Sequence, residues 1–214
     1  MKVIMSIFAH ADDETLEAGG YLARMIQEGN IVIPITMTSS DYTDYNQNEL
    51  RSHEEATSES IAGLEALGIP ASCAYWLHIP TKRVQFDAST IEWINKIIDI
   101  EQPDLIITHH ISGSSHQDHI NTAKCVLAAS RRQNNIWQAE PMYPSNLSNQ
   151  VFRPIVYADI SNTFAIKIKA LKAHASQWNK YPYWQDMVTS IARLRGIDAN
   201  TQFCECFEPI KMAI

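Results

Sequence analysis

The sequence predicts a doubly wound, Rossmann-like α/β fold with a mainly parallel sheet and helices on both faces. Short runs rich in Ile, Val and Leu recur along the 214 residues, as is typical of parallel strands buried on both faces. Amphipathic stretches alternate with these runs, which is the pattern of βαβ units. The length suits a single domain of residues 1–214.

The apolar runs and amphipathic stretches define the predicted elements in order. Strands are predicted at 2–9, 31–38, 73–77, 104–108 and 155–159, and a strand-like alternation covers 203–207. Helices are predicted at 15–27, 48–67, 91–100, 115–132, 162–177 and 184–195. Gly29 and Gly68 follow the first two helices, where glycine is a common stop. The segments STIE at 89–92 and SHQD at 115–118 have the form of capping boxes that open the next two.

Two polar and aromatic stretches show no regular pattern, and they cover residues 39–48 and 133–153. The second includes Tyr143 and Pro144. Loops of this composition at the mouth of an α/β site can contact substrate, but ordinary surface loops have the same appearance. For the first stretch the two interpretations are equally good, and for the second an ordinary loop is preferred.

The composition is that of a soluble globular protein and argues against several function classes. Apolar residues make up 45% of the chain and charged residues 19%. The formal net charge is −7 without a basic stripe, which argues against a nucleic-acid groove. The first apolar run is too short for a membrane span and leads directly into an acidic motif. We therefore expect a cytoplasmic protein without a membrane anchor or export signal.

Two clusters of His and Asp follow predicted strands. His10, Asp12 and Asp13 come after the first strand, and His116 and His119 follow the strand at 104–108. Ligands of doubly wound sheets bind beyond the carboxyl ends of the strands, so the two clusters are expected to form one divided site. Such a density of ionisable groups is costly to bury unless the groups coordinate or pair. A catalytic zinc takes three ligands of these types and leaves a position open for water.

The residue pattern by itself leaves the division of roles open. One of the adjacent aspartates would bind the metal and the other would serve as general base. One of the two later histidines would bind the metal, and the other would meet the developing oxyanion or protonate the leaving group. Asp118 would hydrogen-bond an imidazole and fix its tautomer, in support of catalysis.

Structural roles for the same residues are the alternative. Asp12 and Asp13 could cap the helix that begins near residue 15, which is a common use of Asp. His109 and His110 end the strand at 104–108, and we keep them only as candidate pocket residues. Two His/Asp clusters at one edge of the same sheet nevertheless favour a metal site.

The first cluster resembles the A-H-P-D-D-E signature of the LmbE-like, or PIG-L, family of N-deacetylases. It reads AHADDE at 9–14, and two glycines follow at 19–20. The segment HQDH at 116–119 resembles the H-x-D-H motif of the family. Weaker matches follow in the family's order at 103–109, 159–161, 174–177 and 204–207, so the resemblance spans nearly the whole chain.

The resemblance implies a zinc-dependent hydrolase that removes the N-acetyl, or another small N-acyl, group from an amino sugar or its conjugate. Another divalent metal such as Fe²⁺ could replace Zn²⁺. His10, Asp13 and His119 match the family's metal ligands. Asp12 matches the general base, and a protonated His116 would stabilise the oxyanion and assist the leaving amine. The expected partner is a small soluble amino-sugar substrate, with no nucleic acid and no membrane, and assembly into a homo-oligomer is left open.

The chain departs from the family pattern at three places. Ala11 replaces the family's proline, and Ser114 replaces an aspartate before H-x-D-H. The second loop lacks the family's T-x-G-E-x-G-like element, so Asp41 and Arg51 are expected only as sugar or phosphate contacts. These departures bear on the identity of the substrate rather than on the type of reaction.

Two other function classes are compatible with the clusters. A metal-dependent phosphoesterase would need further His and carboxylate ligands to build a two-metal site. A catalytically silent sugar-binding homologue would need neither Asp12 nor His116, and both are present. We therefore rank both classes below the deacetylase.

Overall fold

The computed structural model describes residues 1–46, 48–142 and 151–213, which contain nine strands and seven α-helices. The strands are β1 (Val3–Phe8), β2 (Ile31–Thr38), β3 (Tyr42–Thr43), β4 (Glu49–Arg51), β5 (Tyr75–Ile79), β6 (Leu105–Thr108), β7 (Ile136–Ala139), β8 (Val156–Asp159) and β9 (Cys204–Lys211). The helices are α1 (Asp13–Gln27), α2 (His53–Leu67), α3 (Ala88–Glu101), α4 (Gln117–Ala129), α5 (Phe164–Ala173), α6 (Ala175–Lys180) and α7 (Trp184–Ala199).

Seven of these strands form one twisted sheet in the order β5-β2-β1-β6-β7-β9-β8. The first five strands of this order pair in parallel, whereas β9 runs antiparallel to both of its neighbours. The remaining two strands, β3 and β4, form a small antiparallel hairpin. The predicted mainly parallel α/β sheet is therefore confirmed.

Alternate residues of β1 face two separate apolar cores. Ile4 and Phe8 pack with residues of α1, α2 and α5 on one side of the sheet. Met5 and Ile7 pack with residues of α3 and α4 on the other side. Because side chains along a strand alternate between the two faces, helices on both sides bury the strand from Ile4 to Phe8. This explains why the strand reads as a continuous apolar run.

The prediction that 133–153 is irregular is wrong for its first part. Residues Ile136–Ala139 form β7, which lies between β6 and β9 inside the sheet. Its antiparallel partner, β9, comes about 70 residues later in the chain, with Gln138 opposite Glu208. A strand of four residues with so distant a partner gives little local signal. Tyr143 and Pro144 lie outside the described residues.

Two predicted helices differ from the structure. The helix predicted at 48–67 begins at His53, because the side chain of Ser52 accepts the backbone N–H of Glu55 and caps it, while Glu49–Arg51 forms β4. The helix predicted at 162–177 is two helices that meet at His174, whose backbone leaves the helical region.

Two predicted helix starts are also shifted. The side chain of Asp87, not Ser89, caps α3 by accepting the N–H of Thr90. The side chain of His116, not Ser115, caps α4.

Among the described residues, no helix has the length and apolar character needed to cross a membrane.

Candidate metal centre

Two neighbouring parallel strands bring the two motifs together. Ile7 of β1 pairs with Thr108 of β6, so the loops that follow these strands leave the sheet side by side. The first loop carries His10 and leads into α1, which begins at Asp13. The second loop leads into α4, which carries His119 in its first turn. The predicted meeting of the clusters at the carboxyl edge is therefore found in the structure.

Three side-chain atoms form a nearly equilateral triangle at this edge. His10 Nδ1 lies 3.1 Å from Asp13 Oδ2 and 3.1 Å from His119 Nε2, and the third side, from His119 Nε2 to Asp13 Oδ2, measures 3.3 Å. Ligand atoms about 2.0–2.1 Å from a tetrahedral zinc are separated by about 3.3–3.4 Å. The three residues therefore fit a divalent metal ion with one coordination position left open.

A proton can occupy the same place as the metal. Burial disfavours a charged His10, but the carboxylates of Asp13 and Asp118 outweigh burial and raise the pKa of His10 to about 10. When protonated, His10 Nδ1 can donate toward Asp13 Oδ2 and His119 Nε2, which both lie 3.1 Å away. A metal ion must displace this proton in order to bind.

Asp118 fixes the tautomer of His10. Its Oδ2 lies 3.2 Å from His10 Nε2, so Nε2 donates to the carboxylate and Nδ1 remains directed at the metal position. The carboxylate is itself held by two backbone amides, since the N–H groups of Lys82 and Val84 donate to it at 2.6 and 3.1 Å. The expectation that Asp118 bonds an imidazole agrees with this geometry, and the imidazole is that of His10 rather than His116.

The two adjacent aspartates have opposite electrostatic surroundings. Burial acts to raise the pKa of Asp13, but the neighbouring His119, His10 and His109 hold that pKa well below its usual value. Burial, and next the negative charge of Asp13, raise the pKa of Asp12. Asp12 occupies the N-cap position of α1, yet its side chain makes no capping hydrogen bond. The helix-capping alternative therefore fails for Asp12.

His116 stands beside the triangle, and its pKa is lowered. Its ring meets that of His10 edge to face, with the centroids 4.7 Å apart. Its Nδ1 accepts the backbone N–H of Asp118 at 3.2 Å, which leaves the ring proton on Nε2. Burial, and then the charge of His10, lower the pKa of His116. The lowered pKa favours a neutral ring that would donate through Nε2, and the expected protonation of His116 during the reaction stays a prediction.

A second group of metal-ligand type lies behind the first. Atoms of Asp13, Glu17, His109 and His119 come within 4.8 Å of one another. Both ring nitrogens of His109 are already engaged, because Nε2 accepts the N–H of Ala9 at 3.0 Å and Nδ1 lies 3.0 Å from Glu17. The first group, which lines the open cleft, is therefore the stronger candidate for a metal ion.

The centre opens into a cleft of about 390 Å³. Its walls are formed by the metal-site residues and by Ser40, Tyr42, Lys82, Lys180, Tyr181 and Trp184. Lys180 lies over the ring of Tyr42, with Nζ 3.9 Å from the ring centroid. Aromatic rings and lysine side chains thus line the same cleft as the aspartates.

The two residues predicted as sugar or phosphate contacts, Arg51 and Asp41, differ in their position relative to the cleft. Arg51 lines the cleft but is 3% exposed, and it pairs with Glu59 at 2.8 Å. Glu59 in turn accepts the N–H and hydroxyl of Ser176. Asp41 is not among the residues that line the cleft, and it bonds the hydroxyls of Ser39 and Thr81.

Several residues near the site had no clear sequence signal. His109 was expected only as a candidate pocket residue and lies buried under the metal centre, next to Glu17. His110, in contrast, faces Glu208, with 3.4 Å between His110 Nε2 and Glu208 Oε2. Lys180 and Trp184 come from the last third of the chain. A weak signal for Glu17 was its spacing, since it follows Asp13 by one helical turn.

Comparison with known proteins shows which family this chain resembles along more than half of its length. A family model described as PIG-L, GlcNAc-PI de-N-acetylase, matches residues 5–130 and confirms the resemblance seen in the motifs. The chain is also similar to a 1D-myo-inositol 2-acetamido-2-deoxy-alpha-D-glucopyranoside deacetylase from Mycobacterium sp. (strain JLS). The two are 25% identical over 242 residues, which cover 87% of this chain and 78% of the relative.

Two solved structures share the fold. The N,N'-diacetylchitobiose deacetylase from Pyrococcus horikoshii superposes with a TM-score of 0.83 at 21% identity, covering 98% of this chain and 84% of that one. GalB, the 4-carboxy-2-hydroxymuconate hydratase from Pseudomonas putida KT2440, superposes with a TM-score of 0.84 at 18% identity. The match covers 100% of this chain and 98% of that one. Since these neighbours catalyse different reactions, the fold alone does not decide the chemistry.

Proposed function

The chain belongs to the PIG-L family of de-N-acetylases and is an amide hydrolase, and we propose that it removes the N-acetyl group from a small amino-sugar conjugate with the help of bound Zn²⁺. Another small N-acyl group is the nearest variant of the substrate. The observation that carries the proposal is the triangle of His10, Asp13 and His119, which has the ligand spacing of a tetrahedral metal ion and lies beside a free carboxylate.

The donor set supports a catalytic rather than a structural metal. Two imidazole nitrogens and one carboxylate oxygen leave a position open, and this combination suits Zn²⁺ and also Fe²⁺. Such an ion, when bound, polarises the amide carbonyl and makes water more acidic. We propose zinc and treat iron as the alternative, which metal analysis of protein purified without oxygen distinguishes.

Asp12 is proposed as the general base. It lines the cleft next to the metal ligands, and its raised pKa makes it a better proton acceptor than an ordinary aspartate. It would take one proton from the attacking water as the new C–O bond forms. The same proton would then pass to the amide nitrogen as the C–N bond breaks, which gives the free amine. The second proton of the water stays on the carboxylic acid, which then ionises to solvent and leaves as carboxylate.

His116 is proposed to stabilise the charge that develops on the carbonyl oxygen. Its Nδ1 is occupied by the backbone N–H of Asp118, so its available group is the Nε2–H. A neutral donor held by a helix cap is preorganised and need not reorient during the reaction. This role differs from that of a protonated acid and leaves delivery of the proton to Asp12.

The cleft supports an amino-sugar substrate. The rings of Tyr42, Tyr181 and Trp184 offer apolar faces of the kind that pack against sugar rings, while Lys180 and Ser40 offer polar groups. The similar mycobacterial enzyme is named for a glucosamine–inositol conjugate, and the archaeal neighbour for a chitin disaccharide. We propose a substrate of this class for the present chain.

Release of acetate by metal-reconstituted protein tests the proposal. The protein is stripped of metal, supplied with one equivalent of Zn²⁺ and incubated with a panel of N-acetylated amino sugars and their inositol and sugar conjugates. We expect acetate and free amine in equal amounts for at least one compound, and neither product without metal or with His119→Ala.

Other outcomes would favour the other functions. Phosphate release by a protein that binds two metal ions would support a phosphoesterase. Addition of water to an unsaturated tricarboxylic acid would support a hydratase. Binding of sugars without turnover by the metal-loaded protein would support a silent homologue. Each of these results, in the absence of acetate release, contradicts the deacetylase.

A further inference from the structure

A buried pair behind the metal centre takes no part in the proposed reaction. Glu17 Oε1 lies 3.0 Å from His109 Nδ1, and the two residues are 5% and 1% exposed. Glu17 follows Asp13 by one turn of α1, so both carboxylates lie on the same face of that helix. A buried ionisable pair is costly unless its bonds are well made, so its presence next to the centre requires an explanation.

The hydrogen-bond pattern fixes the plane of the His109 ring. The backbone N–H of Ala9 is directed at Nε2 from 3.0 Å, and Glu17 holds Nδ1 on the opposite side. A neutral ring with its proton on Nδ1 satisfies both contacts. A charged ring would also carry a hydrogen on Nδ1, so the bond to Glu17 is made in either state.

The ring held in this way packs on one of the proposed metal ligands and lies close to a second. The rings of His109 and His119 stack with a centroid distance of 4.1 Å and an angle of only 7° between their planes. The His109 Nε2 also lies 3.3 Å from Asp13 Oδ2, the oxygen that forms one corner of the ligand triangle. The ring of Phe8 also packs edge to face on the ring of His109, with the two centroids 4.8 Å apart.

We propose that Glu17 is a positioning residue of the metal centre. Through the Nδ1–H bond it fixes His109, and the stacked His109 ring holds the plane of His119. The inference rests on the proposed metal centre, but it concerns the affinity for metal and not the identity of the substrate. Partners that orient metal ligands typically change metal affinity about 10–100-fold when removed.

Zinc affinity of two matched variants tests this role. Glu17→Met keeps the length of the side chain and removes the acceptor, whereas Glu17→Gln retains a carbonyl oxygen that can accept from His109 Nδ1. We measure zinc binding to the full chain by competition with a chromophoric chelator. Glu17→Met should weaken binding about 10–100-fold, and Glu17→Gln should stay within about threefold of the wild type.

The hydrogen on His109 Nδ1 can be observed directly, without any variant that must fold. In long-range ¹H–¹⁵N spectra of the metal-free wild type, the Nδ1 of His109 should show the shift of a protonated nitrogen. An unprotonated Nδ1 would overturn the proposal even if Glu17→Met does not fold.

The outcomes separate the two proposals. Wild-type protein that binds zinc, together with a folded Glu17→Met that binds it equally well, overturns the positioning role and leaves the metal centre intact. Equal weakening by Glu17→Met and Glu17→Gln also contradicts it, because only the former loses the acceptor. A wild type that binds no zinc overturns both.

Discussion

Asp118 Oδ2 lies 3.2 Å from His10 Nε2, so a residue of the second motif orients the imidazole that we propose as the first metal ligand. The same carboxylate accepts the backbone N–H groups of Lys82 and Val84, which belong to the loop after β5. Three segments that are distant in sequence therefore meet at one carboxylate. This contact connects the sheet edge, the loop after β5 and α4 around the centre.

We predict that Asp118→Asn weakens zinc binding about 10–100-fold. An amide that accepts from His10 must turn its NH₂ toward the N–H of Val84, so one of the three hydrogen bonds is lost. Competition with a chelator measures the affinity. Asp104→Asn is a matched control, because Asp104 also accepts a backbone N–H, that of Val3, at the opposite end of the sheet. Equal affinities of the two variants would contradict the orienting role.

Zinc affinity should increase with pH. The pKa of His10 is raised to about 10, so at neutral pH the ring must lose a proton before Nδ1 can bind metal. Release of one proton per bound ion makes the apparent affinity rise about tenfold per pH unit below that pKa. Calorimetry in buffers of different ionisation enthalpy counts the protons released. An affinity that does not change between pH 6 and 8 would exclude competition between proton and metal.

The sequence predicted the positions of the two motifs because these depend on local features. His10 and Asp13 come directly after an apolar run, and the end of a parallel strand defines the edge at which they lie. β7 could not be predicted with the same ease, since a strand of four residues owes its stability to β6 and to β9, which comes about 70 residues later. Long-range pairing of this kind leaves little trace in local periodicity.

Other features of the site depend on contacts that no local pattern encodes. Arg51 lines the cleft, and its role as a substrate contact stays a prediction. Its burial and its ion pair with Glu59, which Ser176 supports from another helix, could not be read from the sequence. The Asp118 oxygen that faces His10 also accepts the backbone N–H of Lys82, a contact between segments distant in sequence. The sequence shows which ionisable residues are present and how they are spaced. The packing of distant segments determines which of them become hydrogen-bond or ion-pair partners.

Gly63→Ala should destabilise the fold although alanine favours helices. A Cβ at this position in α2 would lie 2.5 Å from Nε2 of His174, a ring with no exposed surface. We expect the free energy of unfolding to fall by about 1–3 kcal/mol, as in other overpacked cores, measured by urea denaturation. Ala62→Gly, at the exposed neighbouring position, is the control and should cost about 1 kcal/mol from helix propensity alone. A Gly63→Ala variant as stable as the wild type would show that His174 can move.

Asp12→Asn should separate catalysis from metal binding. The amide cannot accept a proton from water, so we expect kcat to fall about 10²–10⁴-fold, while zinc affinity stays near that of the wild type because Asp12 is not part of the ligand triangle. In the wild type, burial and the charge of Asp13 raise the pKa of Asp12, and the base is active only when ionised. The rate should therefore fall as pH decreases through a value above the usual range for aspartate, and this limb should be absent from the residual activity of the variant. A variant that retains wild-type turnover, or that loses zinc together with activity, would contradict the role of Asp12 as general base.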